Sequence, residues 1–153
     1  MISTTIKNNI LKAMIGQVET ISIAPTSYIG LSTTDPGVNG ANFTEPSSEY
    51  GYQRYQLGNK DNTSNNHMST PTNGQTSNID ILYFPEVTGE AGATPWGTIG
   101  WFGLFNSKTS TTPFAWGVLT DGDPTDPQQT TITPVVGQLP IIRVGSLVLK
   151  FDD

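Results

Sequence analysis

Turn-forming residues interrupt this chain at short intervals, and this spacing constrains its fold more than any other feature. Clusters such as Asp35-Pro36-Gly37 and Asn39-Gly40 separate short apolar or alternating runs. The runs lie at 26–33, 50–57, 79–84, 96–105, 114–119, 129–135 and 141–151, and a long polar loop or ragged hairpin occupies 58–78. The pattern predicts an all-β chain, folded as an antiparallel, jelly-roll-like β-sandwich with one short N-terminal helix.

The helix is predicted over residues 6–15, with Thr4 or Thr5 as its cap and Gly16 as its stop. Its apolar positions recur at helical spacing and lie on one face. They are Ile6, Ile10, Leu11 and Met14.

We therefore expect an N-terminal helix, 1–16, followed by a single β-sandwich domain, 17–153. A helix this short is marginal alone, so its apolar face must dock on something. Two interpretations stay open. The face packs across one end of its own domain, or it is an assembly face that inserts into a neighbouring subunit.

The most apolar run, 96–105, is predicted to be the central strand. It contains Gly97, Gly100 and Gly103, and glycines inside a strand mark bends or close contacts with large neighbours. We expect aromatic rings to cover these glycines and to form the core. The candidate rings are Trp96, Trp101, Phe102 and Phe105.

Composition and charge exclude several classes of protein. The net charge is −6 and the seven Lys and Arg residues are scattered, whereas nucleic-acid binding requires clustered basic residues. There is no Cys, so neither a disulfide framework nor a thiolate metal site can form. The first residues lack the apolar run of a signal peptide or membrane helix. We expect no nucleic-acid partner and no membrane partner.

The residues that catalysis requires are sparse, so we predict no catalytic residue, no cofactor and no metal. The only imidazole, His67, lies in the polar loop, where we expect it to be solvated. Glu86 and Glu90 could form a glycosidase pair, but they flank a turn without rigid support. The segment 121–126, with Asp121, Asp123 and Asp126, could bind Ca²⁺ loosely, although Asp-Gly and Asp-Pro are ordinary turn dipeptides.

Tyrosines and tryptophans also suggest a sugar-binding platform, because aromatic rings stack on the apolar faces of sugars. Tryptophans in a β-sandwich are usually core residues, so Trp96, Trp101 and Trp116 are assigned to the core. The candidate ligand-facing aromatics are Tyr50, Tyr52 and Tyr55.

A series of motifs runs in order along nearly the whole chain. After the helix and Gly16 they are 28–36 (YIGLSTTDP), 43–47 (FTEPS), 51–54 (GYQR), 84–88 (FPEVT), 96–99 (WGTI), 102–105 (FGLF), 116–120 (WGVLT) and 145–152 (GSLVLKFD). Together they resemble a family of small virion proteins of tailed bacteriophages and prophages, of the tail-fibre or minor structural type. The longer loop at 65–68 and the Asp-Pro region at 121–127 depart from that pattern.

This resemblance implies a non-enzymatic virion structural protein, as a tail-fibre or baseplate component or as a head-attached fibre or decoration. The alternative is a carbohydrate- or receptor-binding β-sandwich module used in host adsorption. The partners implied are other virion proteins, further copies of the chain (a trimer being one candidate) and a host surface glycan. The implied location is the virion, after synthesis in the host cytoplasm.

Overall fold

The computed structural model of the chain describes residues 1–17, 26–121 and 128–150, which form one α-helix and eight β-strands. Two single-turn 3₁₀ segments, Ser48–Tyr50 and Thr63–Asn65, lie in the connections. The helix α1 is Thr4–Met14, and the strands are β1 Thr26–Ser32, β2 Tyr55–Asn59, β3 Gln75–Ser77, β4 Leu82–Tyr83, β5 Trp101–Phe105, β6 Ala115–Val118, β7 Ile141–Ile142 and β8 Val148–Lys150.

The strands form one larger sheet and two small ones. The larger sheet has the order β2-β1-β5-β6, while β3 pairs with β8 and β4 pairs with β7. Every pairing is antiparallel. The described sheets form a sandwich-like arrangement, and none of them closes into a barrel. The predicted antiparallel all-β fold with one short N-terminal helix is confirmed.

One face of the larger sheet forms the main hydrophobic core. Ile29 is paired with Leu104 and Leu31 with Phe102 across β1 and β5, so these four side chains lie on the same face. Burying each large apolar side chain contributes about 1.5–3 kcal/mol before the cost of ordering it. The buried residues that complete this core from outside the sheet are Leu82, Phe84, Val87, Trp96, Ile99 and Leu147.

The opposite face of the larger sheet is covered by the 40–54 connection. Gly30 and Gly103 are register partners there, and a Cβ on Gly103 would lie 2.6 Å from the ring of Phe43. The close approach therefore requires glycine at this position. Aromatic cover is present at Gly103, but the ring belongs to Phe43 and not to the central strand; at Gly97 and Gly100 the prediction is wrong, because Thr33 and Thr131 are the nearest side chains there.

The helix α1, Thr4–Met14, begins two residues before the predicted 6–15 and ends one residue before it. Ser3, not Thr4 or Thr5, is the N-cap, and its side chain accepts a hydrogen bond from the Ile6 N–H at 3.4 Å. Gly16 is the stop residue as predicted, with a left-handed φ of 73° just after the C-cap Ile15. The N–H of Gln17 donates to the Lys12 carbonyl at 2.8 Å, which completes a Schellman motif.

Residues before the helix add a short edge to the larger sheet. Ile2 forms a bridge with Ala115, and the N–H of Ser3 donates to the Phe114 carbonyl at 2.8 Å. The N–H of Trp116 donates to the Met1 carbonyl, also at 2.8 Å. This pairing fixes the start of α1 beside β6 and covers part of that edge strand.

Two of the predicted strands begin later than expected. In the run 50–57, Tyr50 belongs to a 3₁₀ turn and Gly51 has a φ of 85°, so β2 begins only at Tyr55. In the run 96–105, Gly97 has a φ of 70° and β5 begins at Trp101. In both runs a left-handed glycine at the second position interrupts the extended backbone that was predicted from the sequence. β5 does lie inside the larger sheet, as predicted.

The remaining β predictions are partly corrected. The run 79–84 contains only β4, and 129–135 contributes isolated bridges in place of a strand. The run 141–151 is divided between two sheets, because Gly145, with a φ of 73°, makes a turn between β7 and β8. The polar stretch 58–78 includes a hairpin turned at Asn73-Gly74, both with positive φ.

Candidate assembly surface

The apolar residues of α1 divide into an inner and an outer set. Ile6 and Ile10 are half-buried against the chain, whereas Leu11 and Met14 are 56% and 76% exposed. The capping residue Ile15, 66% exposed, extends the outer set, since residues three and four apart share a helix face. No residue of α1 is buried. We call Leu11, Met14 and Ile15 the outer helix face.

Charge on α1 is opposite to that of the rest of the chain. Residues 1–17 include Lys7 and Lys12 and no Asp or Glu, so all 13 acidic residues lie elsewhere. Lys7 is one turn before Leu11, and Lys12 is in the last helical turn, where a cation also interacts favourably with the helix dipole. The outer helix face is therefore an apolar patch with a basic border.

The three candidate ligand-facing tyrosines are not brought together on one surface. Tyr52 is only 5% exposed, so it does not lie on an exposed platform. Tyr50 and Tyr55 are half-buried. The Tyr50 carbonyl accepts a hydrogen bond from Trp96 Nε1 at 2.8 Å, and the Tyr55 ring lies against His67.

A cluster on the covered face of the larger sheet was not predicted from the sequence. Arg54 donates to Glu45 from Nε, at 2.9 Å to Oε1 and 3.1 Å to Oε2, and from Nη2, at 2.6 Å to Oε2. Its other donors reach the carbonyls of Ser107 and Ser110, at 2.9 and 2.7 Å. The guanidinium lies 3.4 Å from the centre of the Phe105 ring. We call Glu45, Tyr52, Arg54 and Phe105 the Arg54 cluster.

Tyr52 completes the Arg54 cluster from the core side. Its hydroxyl donates to Glu45 Oε1 and accepts from the Leu31 N–H, both at 2.7 Å. Burial raises the pKa of the Tyr52 phenol well above its usual range, and the nearby Glu45 carboxylate raises it further. Because Arg54 is bonded to protein groups through Nε, Nη1 and Nη2, the cluster joins segments of this chain and is not organised to bind an anion.

His67 is not the solvated loop residue that we predicted. Its Nδ1 lies 3.0 Å from Asp80 Oδ2 and its Nε2 lies 3.4 Å from the Tyr55 hydroxyl. The Asp80 carboxylate therefore favours the tautomer with a proton on Nδ1. Burial, followed by the charge of Asp80, raises the pKa of Tyr55. This trio links β2 to the segment before β4.

The tryptophans and carboxylates are placed as follows. Trp96 and Trp116 are buried core residues as predicted, but Trp101 is only partly buried. Glu86 and Glu90 are both exposed. The candidate calcium segment 121–126 lies outside the described residues after Asp121. Within the described ranges, no three His, Cys, Asp or Glu residues are grouped so that they could hold a metal ion.

Comparison with known proteins places the chain in a family. In the described residues, no helix has the length and apolar character needed to span a membrane. No curated protein matches the sequence. The sequence model of the family described as podophage GP4 fiber I protein gp80 matches residues 1–139, which is most of the chain. The chain therefore belongs to the podophage GP4 fiber I protein gp80 family, and it is a structural fibre component of a phage.

Proposed function

We propose that this chain is a non-enzymatic fibre subunit of the virion that joins neighbouring subunits through the outer helix face. The observation that carries the proposal is the exposure of Leu11, Met14 and Ile15 on a helix that is positioned by backbone hydrogen bonds. Apolar side chains of this size, grouped on one face and bordered by polar residues, are typical of protein–protein contacts.

The energetics support an interface role for this face. Burying its three apolar side chains against a partner would contribute about 1.5–3 kcal/mol each. Loss of translational and rotational freedom opposes association by about 4 kcal/mol or more. One such contact alone is therefore weak, whereas subunits that each form two of them, as in a closed ring, associate more firmly.

Incorporation into particles tests the proposal. Phage is grown with the chain replaced by Leu11→Gln/Met14→Gln, which keeps good helix formers while removing the apolar face. We expect at least about tenfold less of this chain per particle, from the apolar contribution given above. Asn8→Gln, at an exposed position of the same helix, is the matched control. Normal incorporation of the double variant would contradict the proposal.

Tail-fibre or baseplate and head-attached positions both agree with this role. A reconstruction of the particle, with density assigned to this chain, distinguishes them. Virion location follows from the family, since its members are described as fibre proteins.

We propose host-glycan binding as the second candidate function. It is favoured by a surface groove of about 440 Å³ at the hairpin that includes β3. Hydroxyl and amide side chains line this groove, including Ser69, Thr72, Asn73 and Gln75, and such groups hydrogen-bond sugar hydroxyls. Binding of the purified chain to immobilised host glycans, lost in Gln75→Ala, would support it. Unchanged glycan binding in Gln75→Ala would contradict this location.

A further inference from the structure

The outward face of the β4–β7 sheet is a second unpartnered apolar surface. Leu82 and Phe84 point into the core, whereas Tyr83 is 55% exposed and Ile141, its register partner, is 44% exposed. A hydrogen bond of 2.9 Å from the Phe84 N–H to the Pro140 carbonyl continues the pairing past β4. Leu139, two residues before Ile141, therefore lies on the same outward side and is 53% exposed.

These two surfaces fit each other in size and charge. The outer helix face extends about 6 Å along the helix axis, from Leu11 to Ile15, and Leu139 to Ile141 span about 7 Å along an extended strand. Asp80, with a 57% exposed side chain, comes two residues before β4, the exposed Glu86 comes three residues after it, and one base, Arg143, directly follows β7. The border of the outer helix face contains only bases, Lys7 and Lys12. Complementary charge at an interface fixes partner and orientation.

Both surfaces are exposed in the same chain, so neither covers the other within one subunit. A symmetric contact between two copies of α1 would instead bring Lys7 and Lys12 of both helices together, with no acidic residue on either helix to neutralise them. The chain therefore has two different apolar surfaces. The outer helix face, with its basic border, is called the donor surface, and the outward β4–β7 face is called the acceptor surface.

We infer that α1 of one copy docks on the outward β4–β7 face of a second copy, defined by Tyr83, Leu139 and Ile141. This inference rests on the proposed function and specifies its partner. The contact is heterologous, because each copy places its helix on one neighbour and its β4–β7 face against the helix of another. A heterologous contact of this kind generates a closed ring when the rotation between neighbouring copies closes.

Mixing two full-length variants tests the inference. One variant, Leu11→Gln/Met14→Gln, lacks the donor surface, and the other, Tyr83→Thr/Ile141→Thr, lacks the acceptor surface while keeping strand-forming residues. Each is measured alone and mixed by light scattering at up to about 1 mM, where even a weak contact is populated. Val38→Thr, which replaces an 85% exposed valine, is the control. Circular dichroism confirms folding, and Leu139→Gln substitutes for the acceptor variant should that variant unfold.

We expect wild type and Val38→Thr to oligomerise, each variant alone to remain monomeric, and the mixture to form one-to-one dimers. The dimer forms because each mixed pair retains one intact donor and one intact acceptor. Normal oligomers of the acceptor variant, or a mixture that stays monomeric, would overturn this inference while leaving the helix role intact. Normal oligomers of the donor variant, or a monomeric wild type, would overturn self-assembly through the helix itself.

Discussion

The covered face of the larger sheet and the outer helix face place large side chains in opposite environments. In the Arg54 cluster, Arg54 is 8% exposed at its side chain and bonded to Glu45, Ser107 and Ser110, and Phe105 is fully buried. On α1, no residue is buried, and Met14 is 76% exposed. The difference indicates that the β body supplies most of the folding stability, while the helix retains apolar surface for a partner. Substitutions in the two regions should therefore affect different measurements.

The largest expected effect is on the β body. Phe105→Ala should lower the free energy of unfolding by about 3–5 kcal/mol, because the ring is fully buried between Phe43 and Arg54. Trp101→Ala should cost clearly less, since Trp101 is only partly buried. Urea denaturation of both variants measures the difference. Equal losses of unfolding free energy in the two variants would show that the exposure of a side chain in this sheet does not determine the cost of removing it.

Arg54→Met should lower the free energy of unfolding by about 3 kcal/mol. The substitution leaves the Glu45 carboxylate without its cation, and the carbonyls of Ser107 and Ser110 lose the guanidinium N–H groups that donate to them. The estimate lies at the lower end of the usual range, since the Glu45 side chain is 23% exposed and water can reach it. Lys60→Met is the matched control. It breaks an ion pair with Asp61 in which both side chains are 68% exposed, and it should change stability by less than about 1 kcal/mol.

A pH effect of about 1 kcal/mol per pH unit is expected from Tyr52. The folded-state pKa is raised, so the neutral phenol contributes stability that is complete below the ordinary value of 10.0 and declines as the pH rises above it. The unfolded chain loses this proton first. Between pH 10 and pH 11, wild type should therefore lose more unfolding free energy than Tyr52→Phe. Parallel pH profiles of the two proteins would contradict the burial of this hydroxyl.

Local signals predicted the elements that depend on neighbouring residues. The helix end at Gly16, the strand at 26–32 and the tight turn at Asp35-Pro36-Gly37 all follow from nearby sequence, and the Gly37 N–H does donate to Asp35 Oδ1 at 2.8 Å. Boundaries were less accurate where glycines with positive φ, such as Gly51, ended an alternating run.

The long-range contacts could not be predicted in the same way. Arg54 finds its partners 9, 53 and 56 residues away along the chain, and no periodicity links those positions. His67 likewise contacts Tyr55 and Asp80 only because the hairpin folds back beside β2. The apolar stripe of α1 was visible in the sequence, but its division into half-buried Ile6 and Ile10 and exposed Leu11 and Met14 required the position of the helix on the body.

The most direct test of the separation between body and helix is the denaturation midpoint as a function of protein concentration, for wild type and for Leu11→Gln/Met14→Gln. Association stabilises only the folded state, so the wild-type midpoint should rise with concentration. The double variant should show a constant midpoint equal to the wild-type value at the lowest concentration. A free energy of unfolding that is lower in the double variant than in wild type by about 1 kcal/mol or more, even at the lowest protein concentration, would identify α1 as a lid on its own domain and contradict the separation between body and helix.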